Sequence, residues 1–144
     1  SWPLNFRPVW YYVDYQKDSI ANIYALGNPL IFWSGLIAVL YTISLILFRR
    51  ISLRSPHLYL VSCYLLFFIP WALSPRIMFL YHYLPAIPFM VILLSWAVTR
   101  LKPRFIWLFL IFNFALFTFF YPHWTGIPIP KAWDNLFYWL PSWK

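Results

Sequence analysis

The sequence predicts an all-α membrane protein with four transmembrane helices and aromatic interfacial flanks. Of the 144 residues, 63% are hydrophobic and only 10% are charged, whereas soluble domains carry about 25% charged residues. The hydrophobic residues also gather into four runs, which are separated by prolines and short polar loops. Because no polar segment is long enough to form a separate soluble unit, residues 1–144 are expected to be a single membrane domain.

The four predicted spans cover residues 29–48, 58–73, 76–98 and 105–121. The first is almost uncharged, has about the length that a bilayer requires, and starts with a proline, which is tolerated in a first helical turn. The second is short for a span, so flanking residues are expected to extend it to the interface. The fourth carries one polar residue near its middle, Asn113, for which an interhelical hydrogen bond is the expected role.

The third span contains two prolines, Pro85 and Pro88. Proline has no backbone N–H, so neither residue can donate to the carbonyl four positions earlier. We therefore predict a kink and two carbonyls, those of Tyr81 and Leu84, without their usual donors.

Tryptophan and tyrosine mark both ends of the chain as interfacial. Residues 1–28 mix large aromatic rings with charged side chains, a blend typical of the headgroup region. Part of this segment is expected to form a short interfacial helix. Residues 122–144 are rich in tryptophan and proline and are predicted to form a second interfacial tail.

Charge patterning predicts the orientation. Six of the eleven basic residues lie in the loops after the first and third spans, within 49–54 and 100–104. Under the positive-inside rule these loops are cytoplasmic, which places both termini outside the bacterial plasma membrane, or in the lumen of the endoplasmic reticulum if the source is eukaryotic. The net charge of +8 is thus explained by topology, and nucleic acid is not an expected partner.

The most unusual stretch opens the third span, where Arg76 is followed by Tyr81, His82 and Tyr83. Polar groups beside a bilayer are costly and usually need a functional reason. An arginine fork near tyrosine hydroxyls suits a phosphate or phosphodiester, although Arg76 could equally extend toward lipid headgroups. For His82 the alternatives are a general base, a hydrogen-bond donor to a sugar or phosphate, and a packed interfacial ring.

No complete catalytic set is visible in the sequence. The three acidic residues, Asp14, Asp18 and Asp134, all lie in the flanking segments. The predicted topology places His57 on the opposite side from His82 and His123, so the three histidines cannot share a metal ion. We therefore expect no metal site in this chain and no evident cofactor, and a metal requirement of a longer enzyme stays open.

Several stretches together resemble the C-terminal four-helix membrane region of the dolichyl- or polyprenyl-phosphate-mannose protein O-mannosyltransferases, in a bacterial-like form. They are Arg-Pro-Val-Trp-Tyr-Tyr at 7–12, Ala-Leu-Gly-Asn-Pro at 25–29, Pro-Arg-Ile-Met-Phe-Leu-Tyr-His-Tyr-Leu-Pro at 75–85 and Tyr-Pro-His-Trp-Thr-Gly at 121–126. The stretch at 75–85 is the most specific, and the resemblance covers essentially the whole chain.

The resemblance implies that the chain is the C-terminal part of a larger multi-span GT-C fold. That family transfers mannose from a lipid phosphate carrier to serine or threonine hydroxyls of proteins emerging on the outer or lumenal face. Its acidic catalytic motif lies in an external loop that this sequence lacks, so the fragment alone is expected to be inactive and to hold no catalytic residue. The implied role is donor binding, by Arg76 with Tyr81, His82, Tyr83 and Asn28 as partners.

The implied partners are membrane lipid, the polyprenyl-phosphate mannose donor and an acceptor polypeptide, with the export translocon as one possible meeting place. Two other functions stay open at this point. One is a related lipid-phosphate sugar transferase that acts on a glycan or lipid. The other is a non-catalytic four-helix membrane scaffold, which the lack of an acid beside Arg76 would suit.

Overall fold

A computed structural model of the chain describes residues 2–52, 54–75 and 79–143. Helices dominate, which confirms the predicted fold class. They are α1 Pro29–Leu47, α2 Pro56–Ala72, α3 Ile87–Val98, α4 Pro103–Thr125 and the short α5 Lys131–Asp134. Three strands flank them: β1 Val9–Tyr15, β2 Ser19–Ala25 and β3 Ile129–Pro130.

Within the part of the chain that the structure describes, three helical segments are long and apolar enough to cross a membrane. They are Pro29–Leu47, Leu80–Val98 and Pro103–Thr125, and α2 is a shorter apolar helix. At a rise of about 1.5 Å per residue, the 17 residues of α2 span roughly 25 Å, less than a hydrocarbon core of about 30 Å. Its flanking residues would have to make up the difference.

Proline defines where the helices begin. Pro29, Pro56 and Pro103 each occupy the first turn of α1, α2 and α4. This position costs nothing in hydrogen bonding, because the first-turn amides have no partner within the helix.

The predicted interruption of the third span takes the form of two 3₁₀ turns, at Leu80–His82 and Leu84–Ala86, which precede α3. Pro88 lies in the first turn of α3, where its missing N–H does no damage. The usual donor to the Leu84 carbonyl is absent, because residue 88 is proline, and the Ile87 amide donates to that carbonyl instead. In a 3₁₀ turn the carbonyl accepts from the amide three residues later, so it has a donor even where proline removes the amide four residues later.

The core of the bundle lies where α1, α2 and α3 meet. At Gly35 of α1, a Cβ atom would lie 2.7 Å from the Met90 sulfur of α3. The absence of a side chain at Gly35 therefore lets the Met90 side chain pack directly against α1. The buried residues of the bundle core are Phe32, Val39, Ile46, Val61, Tyr64, Tyr83, Ala86, Met90 and Leu93.

The N-terminal flank forms a β-hairpin and not the expected interfacial helix, with a 3₁₀ turn at Trp2–Leu4 before it. Strands β1 and β2 pair antiparallel, with a register irregularity between Trp10 and Tyr12. Strand β3 of the tail adds to the other side of β2, giving the order β1-β2-β3. Aromatic and β-branched residues suit a pleated, half-buried surface, which explains why this segment prefers strands.

Helix α4 continues beyond the predicted end of the fourth span, through Pro122 to Thr125. It stops at Gly126, whose positive φ of 72° is the left-handed conformation that glycine adopts without strain. The last turns of α4 pack beneath the sheet and the tail. The buried residues of this second core are Ile20, Phe120, Ile129, Phe137 and Trp143.

Candidate functional site

The residues between α2 and α3 form a short ledge at the end of the bundle, defined here as 79–83. The ring of His82 stacks on Tyr81 with centroids 4.2 Å apart and meets the edge of Trp71 at 4.8 Å. Its Nδ1 lies 3.3 Å from the amide nitrogen of Phe79 and 3.2 Å from the Phe79 carbonyl oxygen. The ring is therefore fixed in orientation by both aromatic packing and backbone contacts.

Tyr81 and Tyr83 diverge, although only one residue separates them. Tyr81 is about half exposed, at 54% of its surface. Tyr83 is completely buried, with its hydroxyl oxygen 2.9 Å from that of Tyr64 and its O–H directed at the Met90 sulfur, 3.2 Å away. Tyr83 thus anchors the ledge to the bundle, and its hydroxyl is engaged in the interior.

Asn28 caps α1. Its Oδ1 accepts from the Leu30 amide at 3.0 Å, and its Nδ2 donates to the backbone carbonyl of Asn113 at 3.2 Å. The interhelical hydrogen bond expected of the Asn113 side chain is not found among the described residues: its Nδ2 donates to the Phe109 carbonyl within α4 at 2.9 Å, and only its main-chain carbonyl accepts from Asn28. Among the described contacts, none joins Asn28 to Tyr81 or His82.

The structure thus brings two of the predicted site residues together, Tyr81 and His82, on one surface. It places Tyr83 behind them in the core and Asn28 at the α1–α4 junction. Arg76, the predicted phosphate-binding residue, lies outside the described residues. The ledge can present an aromatic face and an oriented imidazole to a ligand at the end of the bundle.

A second polar cluster was not predicted as a site. Nε2 of His123 lies 3.3 Å from Oδ1 of Asp134, and Nδ2 of Asn22 donates to the same oxygen at 2.8 Å. The Tyr138 hydroxyl donates to the Asp134 carboxylate at 3.1 Å, and the Tyr24 hydroxyl lies 3.1 Å from that of Tyr138. We call these five residues the tail lock, because they join β2, α4 and the tail.

Two aromatic rings enclose the His123 imidazole of the tail lock. His123 lies between the rings of Tyr24, at 5.4 Å, and Phe137, at 4.1 Å. His123 and Asn22 are 3% and 1% exposed. Burial of such polar groups is costly unless they find partners. The Asp134 carboxylate accepts hydrogen bonds from Asn22 and Tyr138, and it lies beside Nε2 of His123 without a hydrogen bond to it.

The tyrosines of the tail lock are shielded from solvent. Burial is the main cause that raises the pKa of Tyr24, with the nearby Asp134 carboxylate adding to it. Burial likewise raises the pKa of Tyr138, supported by its contacts with Tyr24 and Asp134. Both hydroxyls are therefore neutral near physiological pH and available as hydrogen-bond donors.

The sequence held a partial signal for the tail lock. Asp134 and His123 are a lone acid and a lone histidine in an otherwise aromatic tail. Their partners in β2 could not be assigned from the sequence, because part of that segment was expected to form a short helix and the hairpin was not predicted. Within residues 2–52, 54–75 and 79–143, no group of three or more His, Cys, Asp or Glu side chains is arranged to hold a metal ion.

A mostly helical region with three long apolar helices, one shorter apolar helix and aromatic flanks defines an integral membrane protein of the multi-span class. The chain belongs to the protein O-mannosyltransferase family. Residues 1–143 match the family described as the C-terminal four TMM region of protein-O-mannosyltransferase. The family predicted from the stretches at 7–12, 25–29, 75–85 and 121–126 is thereby confirmed.

Individual relatives agree with the family. The chain is 31% identical over 117 residues to Protein O-mannosyltransferase 1 of Drosophila pseudoobscura pseudoobscura, an alignment that covers 70% of this chain and 13% of the relative. It is 29% identical over 169 aligned positions to the polyprenol-phosphate-mannose--protein mannosyltransferase of Mycolicibacterium smegmatis, covering 100% of this chain and 31% of the relative. The chain therefore spans less than a third of the length of either relative. No solved structure matches it significantly.

Proposed function

We propose that this chain is the C-terminal membrane part of a glycosyltransferase that moves mannose from a polyprenyl-phosphate carrier to serine or threonine hydroxyls of exported proteins. The observation that carries the proposal is the match of residues 1–143 to the membrane region of this family. The bacterial relative is named for the same donor and for a protein acceptor. These names favour a protein acceptor over a glycan or lipid, and a catalytic assembly over a scaffold.

The proposed reaction is a displacement at the anomeric carbon of mannose. An acceptor hydroxyl loses its proton to a base and forms the new C–O bond while the bond to the carrier phosphate breaks. The base belongs to a part of the enzyme outside this chain. The leaving polyprenyl phosphate gains negative charge, and preorganised donors that stabilise such charge commonly supply the largest catalytic effect.

Within this reaction, the ledge contributes to donor binding. The oriented ring of His82 and the half-exposed Tyr81 present an imidazole and a hydroxyl at the end of the bundle. Arg76 precedes them in sequence, and its planar fork suits two phosphate oxygens. Tyr83 and Asn28 act indirectly, by holding the ledge and the start of α1 in place.

The test is transfer of mannose to an acceptor peptide by the purified full-length protein. Arg76→Ala should lose on the order of 2–4 kcal/mol of transition-state stabilisation, as does removal of a single oxyanion donor. Arg76→Lys keeps the charge without the bidentate geometry and should be partly active. Arg54→Ala, an exposed arginine of a basic loop, is the matched control and should behave like wild type.

Near-wild-type turnover by Arg76→Ala at matched folded amounts would refute a role for this residue in donor binding. It would leave the family assignment intact, because His82 and Tyr81 could still supply the phosphate contacts. Loss of turnover in the Arg54 control to the same extent would instead indicate a general effect of charge on the folded protein.

The proposed orientation places the two basic loops in the cytoplasm and the hairpin, the tail and the α2–α3 connection outside. Pairing of β2 with β3 supports a common side for the two flanks. In intact cells, an impermeant thiol reagent should label Ser74→Cys and spare Ser52→Cys. Labelling at position 52 with protection at position 74 would reverse the orientation.

A further inference from the structure

A groove between α1 and α3 opens at the end of the bundle opposite the sheet. It has a volume of about 420 Å³. Apolar side chains form most of its walls, among them Ala38 and Leu94 at its base and Ile37 at its rim. The groove lies along α1 and α3, which belong to segments long and apolar enough to cross a membrane.

The mouth of the groove is cationic. Arg100 lines it, and its guanidinium carbon lies 4.2 Å from the ring centre of Trp96. The same tryptophan ring is contacted by His57, at 4.2 Å, and by Tyr41, at 6.3 Å. This contact holds the Arg100 guanidinium, with its five N–H donors, at the mouth of the groove, where an anion could bind it.

Charge is segregated along the molecule. The acidic residues lie in β1, in the hairpin turn and in α5, at the sheet end. The basic loops lie near the groove. Arg49 and Arg50 follow α1, Lys102 precedes α4, and Arg104 lies in the first turn of α4. Among the described residues, an anion that reaches Arg100 therefore meets no carboxylate.

From the apolar walls and the cationic mouth we infer that this groove binds one anionic phospholipid of the leaflet that faces the basic loops. The acyl chain would lie along α1 and α3, and the phosphate would accept hydrogen bonds from Arg100. Tyr41, which also lines the groove, stands beside the same mouth. An anionic lipid fits both features of the groove. A soluble anion would make no favourable contact with the apolar walls, and an uncharged lipid would not interact with the Arg100 guanidinium. The site lies at the other end of the bundle from the ledge and is independent of the proposed sugar transfer.

The test is retention of lipid by the full-length protein, measured by native mass spectrometry after exchange into detergent containing phosphatidylglycerol or phosphatidylcholine. Wild type should retain one phosphatidylglycerol in preference to phosphatidylcholine. Arg100→Ala should weaken that retention about tenfold, the effect of a lost hydrogen bond to a charged group. Ala97→Leu keeps the charge but fills the groove, and it should weaken retention of the lipid as well.

Arg104→Ala is the matched control, because Arg104 is an exposed arginine that also lies over an aromatic ring, that of Phe105 at 4.8 Å, but does not line the groove. It should change retention by no more than about twofold. Equal losses in the two arginine variants would overturn the site in favour of diffuse attraction to basic loops. Equal retention of the two lipids by wild type, full retention by Ala97→Leu, or competition by free glycerol phosphate would also overturn it.

Discussion

The hydroxyl oxygens of Tyr64 and Tyr83 lie 2.9 Å apart in the interior of the bundle. Tyr83 also directs its O–H at the Met90 sulfur. These contacts attach the ledge residues to α2 and α3. Tyr83, which the sequence predicted to bind the donor, therefore holds the neighbouring residues in position.

Removal of one hydroxyl of this pair should destabilise the protein modestly. Tyr83→Phe leaves the buried Tyr64 hydroxyl without its partner and should lower the free energy of unfolding by about 1 kcal/mol. Thermal unfolding in detergent measures the effect. Tyr81→Phe, which alters a half-exposed hydroxyl, is the control, and a change in it as large as in Tyr83→Phe would contradict the assigned difference between the two tyrosines.

A double variant adds a second check on the pair. If Tyr64 and Tyr83 act together, Tyr64→Phe combined with Tyr83→Phe should cost less than the sum of the two single changes. Strict additivity would show that the two hydroxyls do not interact.

The tail lock should depend on the Asp134 carboxylate. Asp134→Ala leaves Asn22 and Tyr138 without their shared acceptor, at a cost of about 1–3 kcal/mol. We expect faster amide hydrogen exchange in β2 and β3, because the contact that joins tail and hairpin is lost. Asp18→Ala removes an exposed carboxylate of the same hairpin and should leave the exchange of both strands unchanged, whereas unchanged exchange in Asp134→Ala would refute the lock.

The four apolar helical segments could be predicted because each has its own local signal, although α2 and α4 begin two residues before the predicted spans and α3 begins at Ile87. An apolar run of bilayer length identifies a span, and a proline in the first turn marks the start of α1, α2 and α4. These signals are contained in a dozen or so neighbouring residues. They therefore required no knowledge of tertiary contacts.

The flanks were harder to predict because their structure depends on distant pairing. Strand β2 pairs with β1 nearby but also with β3, more than a hundred residues later. The same distance separates Asn22 from Asp134, which are joined by a hydrogen bond in the tail lock. For the third span, the sequence predicted a kinked helix over residues 76–98, whereas two 3₁₀ turns precede the shorter α3.

Alkaline conditions should weaken the tail lock. The pKa values of Tyr24 and Tyr138 are raised in the folded state, first by burial. The pKa of a tyrosine hydroxyl is about 10 in the unfolded chain. A tyrosine with a higher pKa in the folded state contributes stability that is fully present below a pH of about 10 and is lost as the pH rises toward the folded pKa. Thermal unfolding temperature should therefore fall above about pH 10 in wild type.

Tyrosine variants separate this effect from general alkaline damage. Tyr24→Phe with Tyr138→Phe should flatten the decline, because the two raised groups are gone, whereas Tyr11→Phe removes an exposed hydroxyl and should not. An identical decline in all three proteins would show that the two buried tyrosines do not cause it.

The ledge histidine should matter for turnover and not for folding, if the proposed donor site is correct. His82→Phe keeps a ring that can pack against Trp71 and Tyr81 but removes both nitrogens. Loss of one hydrogen bond to a charged phosphate should lower mannosyl transfer about ten- to a hundredfold while the unfolding temperature changes little. His57→Phe makes the same chemical change at the basic end of the bundle, where the ring packs on Trp96, and should leave transfer close to wild type. Equal activity of the two variants would remove His82 from the donor site, and a parallel fall in stability of His82→Phe would mark the ring as structural.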